Sequence, residues 1–235
     1  YYAHGCGRPY RRDDVWLGFF GGVADRIVEG IRPRTALDAG CALGFLVETL
    51  RDRGVEAWGV DVSAYAIAEA YEPIRPYLAV ASITAPFGRR FDLVTCIEVV
   101  EHMPPAEAAA AIANLCAHAD DILFSSSPYD HREPTHHNVQ PPAYWAELFA
   151  RHGFYRDVDF DAGFLTPWAV RYRKSAPPVA DPVFGRVVGG YERALWRLDQ
   201  AADGRRQVAV EQRGELMAKD RELEDLRARV ERLEA

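Results

Sequence analysis

The run Leu37-Asp38-Ala39-Gly40-Cys41-Ala42-Leu43-Gly44-Phe45 constrains this chain more than any other stretch. An apolar, β-prone entry (Thr35, Ala36, Leu37) leads into a turn of small residues. Phe45, Leu46, Thr49 and Leu50 then recur at helical spacing. Glycines where a strand hands over to a helix let backbone N–H groups approach a ligand beside the positive end of the helix. Asp38 ends this strand, and Asp61 closes the next apolar run, Ala57-Trp58-Gly59-Val60. A carboxylate at the end of the second strand is placed to accept hydrogen bonds from ribose hydroxyls.

The elements that follow alternate. A helix over Trp16–Val28, stopped by Gly30 and Pro33, precedes the glycine turn, and Ser63 caps a helix that Pro73 and Pro76 end. Leu78–Ala81, Phe91–Ile97 and Asp121–Ser125 read as strands. An alanine-rich helix lies over 105–117, and a polar loop over 126–141 leads to a helix around Tyr144–Phe149. Strand-like runs at 154–160 and 167–173, joined by a short connection, complete seven strands. This predicts an α/β fold: a Rossmann-like, doubly wound seven-stranded sheet with an antiparallel edge.

Asp38-Ala39-Gly40-Cys41-Ala42-Leu43-Gly44 resembles the D-x-G-x-G-x-G loop of class I S-adenosylmethionine-dependent methyltransferases, with Ala42 in place of the middle glycine. It does not fit the dinucleotide pattern G-x-G-x-x-G, and no Gly-Lys-Ser/Thr follows, so a P-loop is excluded. The resemblance spans about residues 1–174. It implies S-adenosyl-L-methionine as cofactor, held by Asp38, Gly40, Ala42, Gly44, Asp61 and Val62, with Ser82 and Ile83 where the family reads adenine.

Directly after the fourth predicted strand stands Glu98-Val99-Val100-Glu101-His102. At spacing i, i+3, i+4, one helical turn would put both carboxylates and the imidazole on one face, where a cation would relieve their crowding. Oxygen ligands with one or two nitrogens suit Mg²⁺ or Mn²⁺, and less well Zn²⁺ or Fe²⁺. The loop Asp130–Asn138, rich in histidine, ends at the same crevice. The motif E-V-x-E-H resembles metal-dependent small-RNA 2'-O-methyltransferases and the O-methyltransferases of ubiquinone biosynthesis. The wider texture, His137-Asn138-Val139-Gln140-Pro141-Pro142 and then Tyr144–Phe149, resembles bacterial glycan-associated methyltransferases. By that resemblance Glu98, Glu101, His102 and His137 (or His136) are metal ligands, and His102 or His136 is the base. A histidine base without metal is the alternative. His4, His118, His131 and His152 read as surface or structural.

With 235 residues, 49% of them hydrophobic, the chain has room for one such domain and an appendage. A formal net charge of −7 disfavours a surface made for long polyanions, so a saccharide hydroxyl is the expected acceptor ahead of an RNA 3' end. The basic clusters Arg8/Arg11/Arg12 and Arg171/Arg173/Lys174 read as solvated surface. No apolar run approaches the ~20 residues that span a bilayer. The opening Tyr1-Tyr2-Ala3-His4 carries neither an initiator Met nor a signal-peptide profile, which reads as a trimmed chain. Cys6, Cys41, Cys96 and Cys116 are scattered, as expected of a reduced, cytoplasmic protein.

The predicted domain occupies 1–175, a Pro/Gly-rich linker 176–190, and a helical segment 191–235. In that segment Leu216, Leu223 and Val230, with Leu226 and Leu233, follow a heptad, which predicts a coiled coil and a homo-oligomer. A degenerate domain that merely displays this coil is the reading from another functional class. The intact Asp38, Gly40, Gly44, Asp61, Glu98 and His102 argue against it.

Overall fold

A computed structural model describes residues 9–129 and 133–175. The expected coiled coil, the linker, Tyr1, Tyr2, His4 and His131 lie outside the described residues.

The first helix, α1 (Asp14–Gly30), starts where the Asp13 side chain accepts hydrogen bonds from the N–H groups of Val15 and Trp16. It buries Phe20, Val23, Ala24 and Ile27 and ends ahead of Pro33. Then come β1 (Thr35–Ala39), α2 (Phe45–Arg51), β2 (Glu56–Asp61), α3 (Ala64–Glu69) and β3 (Leu78–Val80). The second half holds β4 (Leu93–Ile97), α4 (Pro105–His118), β5 (Asp121–Ser125), α5 (Pro142–Ala150), β6 (Phe154–Arg156) and β7 (Val170–Lys174). The strands form one sheet in the order β3-β2-β1-β4-β5-β7-β6. All pairings are parallel except those of β7, which runs antiparallel to both β5 and β6. The chain reverses its direction of winding at β1 and β4. This opens a crevice at their carboxyl ends, where ligands of such sheets bind.

Two clusters of buried side chains sandwich the sheet. One joins α1 and α2 to Ala36, Ala57, Leu93 and Leu123. The other joins α4 and α5 to Leu37, Val94, Cys96, Ile122 and Phe124, the alternate positions of the same strands. Cys41, Cys96 and Cys116 are buried free thiols.

Some expectations are corrected. Helix α3 stops at Glu69, because Ala70 turns to extended backbone before Pro73 is reached, and Pro76 sits in a 3₁₀ turn instead. The last two strands are shorter than predicted. Residues 157–169 between them form a long connection whose Ala162 and Leu165 enter the core. Arg171 is not solvated surface: its guanidinium pairs with Asp121 and Asp157 and lies over the Phe160 ring.

Arg12 is likewise engaged. Its guanidinium donates to both oxygens of the nearly buried Glu48 on α2, at 2.6–3.2 Å, and lies over the Tyr71 ring. Tyr10 packs against Phe45, the first residue of α2. The segment before α1 is thus fastened to the helix that leaves the glycine turn. Arg12→Ala is expected to cost about 1 kcal/mol in urea denaturation, the value of a charge-assisted hydrogen bond reduced by the exposure of Arg12.

Candidate active site at the carboxyl ends of the strands

The glycine turn is built on backbone that other residues resist. Gly40, Ala42 and Gly44 all have positive φ, at 92°, 47° and 76°. Ala42 therefore takes the left-handed conformation at a residue that has a Cβ. The N–H groups of Gly40 and Cys41 both donate to the Val60 carbonyl, which ties the turn to β2. A Cβ on Gly40 would overlap Cγ2 of Val99 and lie 3.0 Å from its Cγ1. One on Gly44 would come within 2.8 Å of Leu78 Cδ1. The space beside these glycines is filled by Val99 and by Leu78 of β3, and Gly40 is what lets the segment after β4 sit against the turn.

Asp38 is buried, and its Oδ1 accepts from Thr95 Oγ1 on β4 at 2.6 Å. Burial, with the charge of Asp61, pushes its pKa up to about 7 against the pull of the Thr95 hydroxyl. Asp61 does what the sequence does not disclose. Its Oδ2 accepts from the N–H of Ala42 at 2.9 Å and its Oδ1 from the N–H of Ser63 at 2.8 Å. The carboxylate staples the glycine turn to the start of α3 and keeps further lone pairs for a ligand. Val62 beside it is 71% exposed at the rim. Ser82 bonds the Thr84 hydroxyl, whereas the Ile83 side chain is in the core and its carbonyl accepts from Asn114.

The segment after β4 departs from the expected helical turn. Glu98 has φ of 53°, and only Val100–His102 form a single 3₁₀ turn. Glu98 and the 101–102 pair therefore do not share one helical face. Among the described residues, one group of side chains can hold a metal ion: Glu101, His102 and His136, whose ligand atoms lie within 4.8 Å of one another. Glu98 is outside this group, its Oε1 accepting from Trp168 Nε1 at 2.9 Å. His137 is exposed and contributes no atom to it, because Asn138 binds back through its N–H to the Glu101 carbonyl and the chain presents His136 instead.

Glu101 is fully buried. Its Oε1 accepts from the N–H of Ser127, and its Oε2 accepts from no donor among the described residues. Burial, reinforced by the neighbouring Glu98 charge, raises its pKa to about 8. Burial and His136 push the His102 imidazole below the ordinary histidine range. The two rings meet edge-on with centroids 4.5 Å apart. His102 Nδ1 lies 3.1 Å from Thr135 Oγ1, which orients the ring. The sequence offers little to single out Thr95, Ser127, Thr135 or Trp168. His118 is structural, bonded to Phe87 and Asn114.

Comparisons with known proteins bear on this site. The chain shares 35% identity over 106 residues with a ubiquinone biosynthesis O-methyltransferase of Alkalilimnicola ehrlichii, covering 41% of this chain and 43% of that one. It shares 32% over 119 residues with a magnesium-protoporphyrin O-methyltransferase of Synechocystis, covering 48% of each. The chain thus spans less than half the length of these curated relatives. Among solved structures, a magnesium protoporphyrin IX methyltransferase from Synechocystis with bound SAH aligns with a TM-score of 0.56 at 20% identity, covering 68% of this chain and 83% of that one. A SAM-bound amino pentose methyltransferase from Micromonospora echinaspora aligns with 0.55 at 18%, covering 68% and 92%. At such identities the likeness is one of fold. The family described as a methyltransferase domain matches residues 22–157, more than half of the chain, and to that family this chain belongs.

Proposed function

We propose that the domain within residues 1–175 is an S-adenosylmethionine-dependent O-methyltransferase that acts on a hydroxyl of a vicinal diol, with a saccharide as acceptor. The observation that carries this reading is the pairing of two sites across one crevice. A glycine turn is framed by Asp38 and Asp61, and the Glu101-His102-His136 group stands at the end of the adjoining strand. The cofactor supplies an activated methyl group on a sulfonium, so the protein's task is to bind, orient and deprotonate.

The residues fit the cofactor. Asp38 Oδ2 has no hydrogen-bond partner among the described residues, and a buried carboxylate held neutral up to about pH 7 calls for a cation such as the cofactor's ammonium. Asp61 keeps acceptor capacity for the ribose, Val62 offers an apolar surface at the rim, and Ser82 borders the same edge. His102, kept neutral by burial, is suited to take the acceptor's proton, with His136 beside it.

A divalent cation fits as well. The buried Glu101 Oε2, which accepts no hydrogen bond among the described residues, and two imidazoles make an oxygen–nitrogen set that matches Mn²⁺, Zn²⁺ or Fe²⁺ better than Mg²⁺. Such an ion supplies Lewis acidity that lowers the pKa of a bound diol hydroxyl. The acidic net charge favours a saccharide over RNA. The relatives named for ubiquinone biosynthesis support a second reading in which an aromatic hydroxyl takes the place of the sugar's. The segment 191–235 is proposed as a separate coiled coil that assembles copies of the chain, with the domain facing a reduced cytoplasm.

Calorimetric titration with S-adenosylmethionine tests the cofactor reading. Affinity is expected to rise as pH increases through about 7 and then level off, because the cationic ammonium favours ionised Asp38. Asp38→Asn should weaken binding and flatten that profile. No binding at pH 8 would overturn the assignment. Methyl transfer to a panel of nucleotide sugars, oligosaccharides and catechols decides between the acceptors.

A further inference from the structure

Trp168 enters the crevice from the connection between β6 and β7, 70 residues away from the Glu98 carboxylate it binds. The bond is a 2.9 Å donation from indole Nε1 to Glu98 Oε1. Glu98 is held awkwardly at both ends. Its backbone is left-handed, its N–H is tied to the Ser125 carbonyl at 3.0 Å, and its carboxylate stands beside that of Glu101. Left-handed backbone at a residue with a Cβ is strained and persists only where the surroundings over-determine it. Once both are ionised, two neighbouring carboxylates also repel, so a Glu98 side chain free to rotate would then leave for solvent. The indole opposes that. Its own orientation is set by Tyr129, which meets it edge-on with centroids 5.8 Å apart, and by the wall it shares with Ser126, Trp145 and Tyr172.

We propose that Trp168 is a positioning residue: its indole N–H holds the Glu98 carboxylate against Glu101, so that Glu98 stands as a further cation-binding arm beside the Glu101-His102-His136 group. This rests on the divalent-cation reading above. It makes the β6–β7 connection, which carries none of the motif, part of the site. Partners that orient a metal-binding side chain typically change metal affinity by roughly ten- to a hundredfold when removed.

The test uses the full chain and Mn²⁺ as probe, with free Mn²⁺ read by electron paramagnetic resonance. Wild type is expected to bind Mn²⁺. Trp168→Phe, which keeps a ring and removes the donor, should bind it roughly ten- to a hundredfold more weakly. Glu98→Gln should lose at least as much, and the double variant no more than Glu98→Gln alone. S-adenosylhomocysteine affinity should be unchanged in all three. A second readout leaves the indole in place. In ¹H–¹⁵N spectra the Trp168 Nε1–H resonance should move on Glu98→Gln while the other indole resonances stay. Equal Mn²⁺ affinity in wild type and Trp168→Phe, additive losses in the double variant, or an unmoved Trp168 resonance would each overturn the positioning role alone. Absence of Mn²⁺ binding in wild type would remove the cation reading and this inference together.

Discussion

Gly40→Val is expected to destabilise the domain by about 2–6 kcal/mol and to abolish binding of S-adenosylmethionine. Two costs add. The backbone has φ of 92°, which a β-branched residue adopts only at about 1–3 kcal/mol. The new side chain would also be driven into Val99, whose Cγ2 already fills the place of a Cβ, and such overpacking costs about 1–3 kcal/mol. Val99 lies between Glu98 and Val100 on the segment that bears the histidine group, so the push would be felt on both sides of the crevice. Gly54→Ala is the control. Gly54 has φ of 81° but meets nothing within 4 Å, so it should show the backbone cost without the clash. Urea denaturation and calorimetry read both. Equal stability losses in the two variants would mean that contact with Val99 is irrelevant.

The second large effect concerns pH and the buried Glu101. Its pKa of about 8 in the folded protein lies well above that of a solvated carboxyl near ~4.5, so between these values the folded state holds a proton that the unfolded state has released. Stability must then fall as pH rises through that window, by at most about 1.4 kcal/mol per pH unit. The penalty is largest once pH passes 8, where Glu101 is ionised and buried beside the Glu98 charge. Glu101→Gln, which retains the shape and cannot ionise, should melt at a higher temperature than wild type at pH 8.5 and should flatten the pH dependence. Mn²⁺ or Zn²⁺ should restore wild type at pH 8.5 by neutralising the carboxylate, and leave Glu101→Gln little changed. A thermal midpoint of the wild type that is independent of pH between 5 and 8.5, in chelator, would show that Glu101 is not buried as a neutral acid.

The fold was legible because its signals are local. Alternating apolar runs, Ser63 as a cap and the small-residue turn each act over a few residues, and strands alternating with helices leave few topologies. The short connection inferred near the end failed for the opposite reason. Ala162 and Leu165 are held by the core cluster of α1 and α2, a partner far away in sequence. Arg12 and Arg171 looked like surface charge because Glu48, Asp121 and Asp157 are likewise distant.

Within the site, the sequence by itself determined which chemical groups arrive: Asp38 and Asp61 at adjacent strand ends, and Glu98, Glu101 and His102 after β4, each set by its distance from a strand. Only the tertiary structure decided what they meet. Gly40 reads as room for a ligand and is also the seat of Val99. Asp61 reads as a ribose acceptor and also staples the turn through the Ala42 and Ser63 N–H groups. The i, i+3, i+4 spacing promises one face only if the backbone is α-helical. At Glu98 the chain turns left-handed, bonds to the Ser125 carbonyl of the neighbouring strand, and sends its carboxylate to Trp168. His136 takes the place expected of His137 because the Asn138 N–H is tied to the Glu101 carbonyl. Spacing along a chain specifies neighbours only while the local backbone is regular. Where it bends, the partners come from other strands, and packing alone selects them.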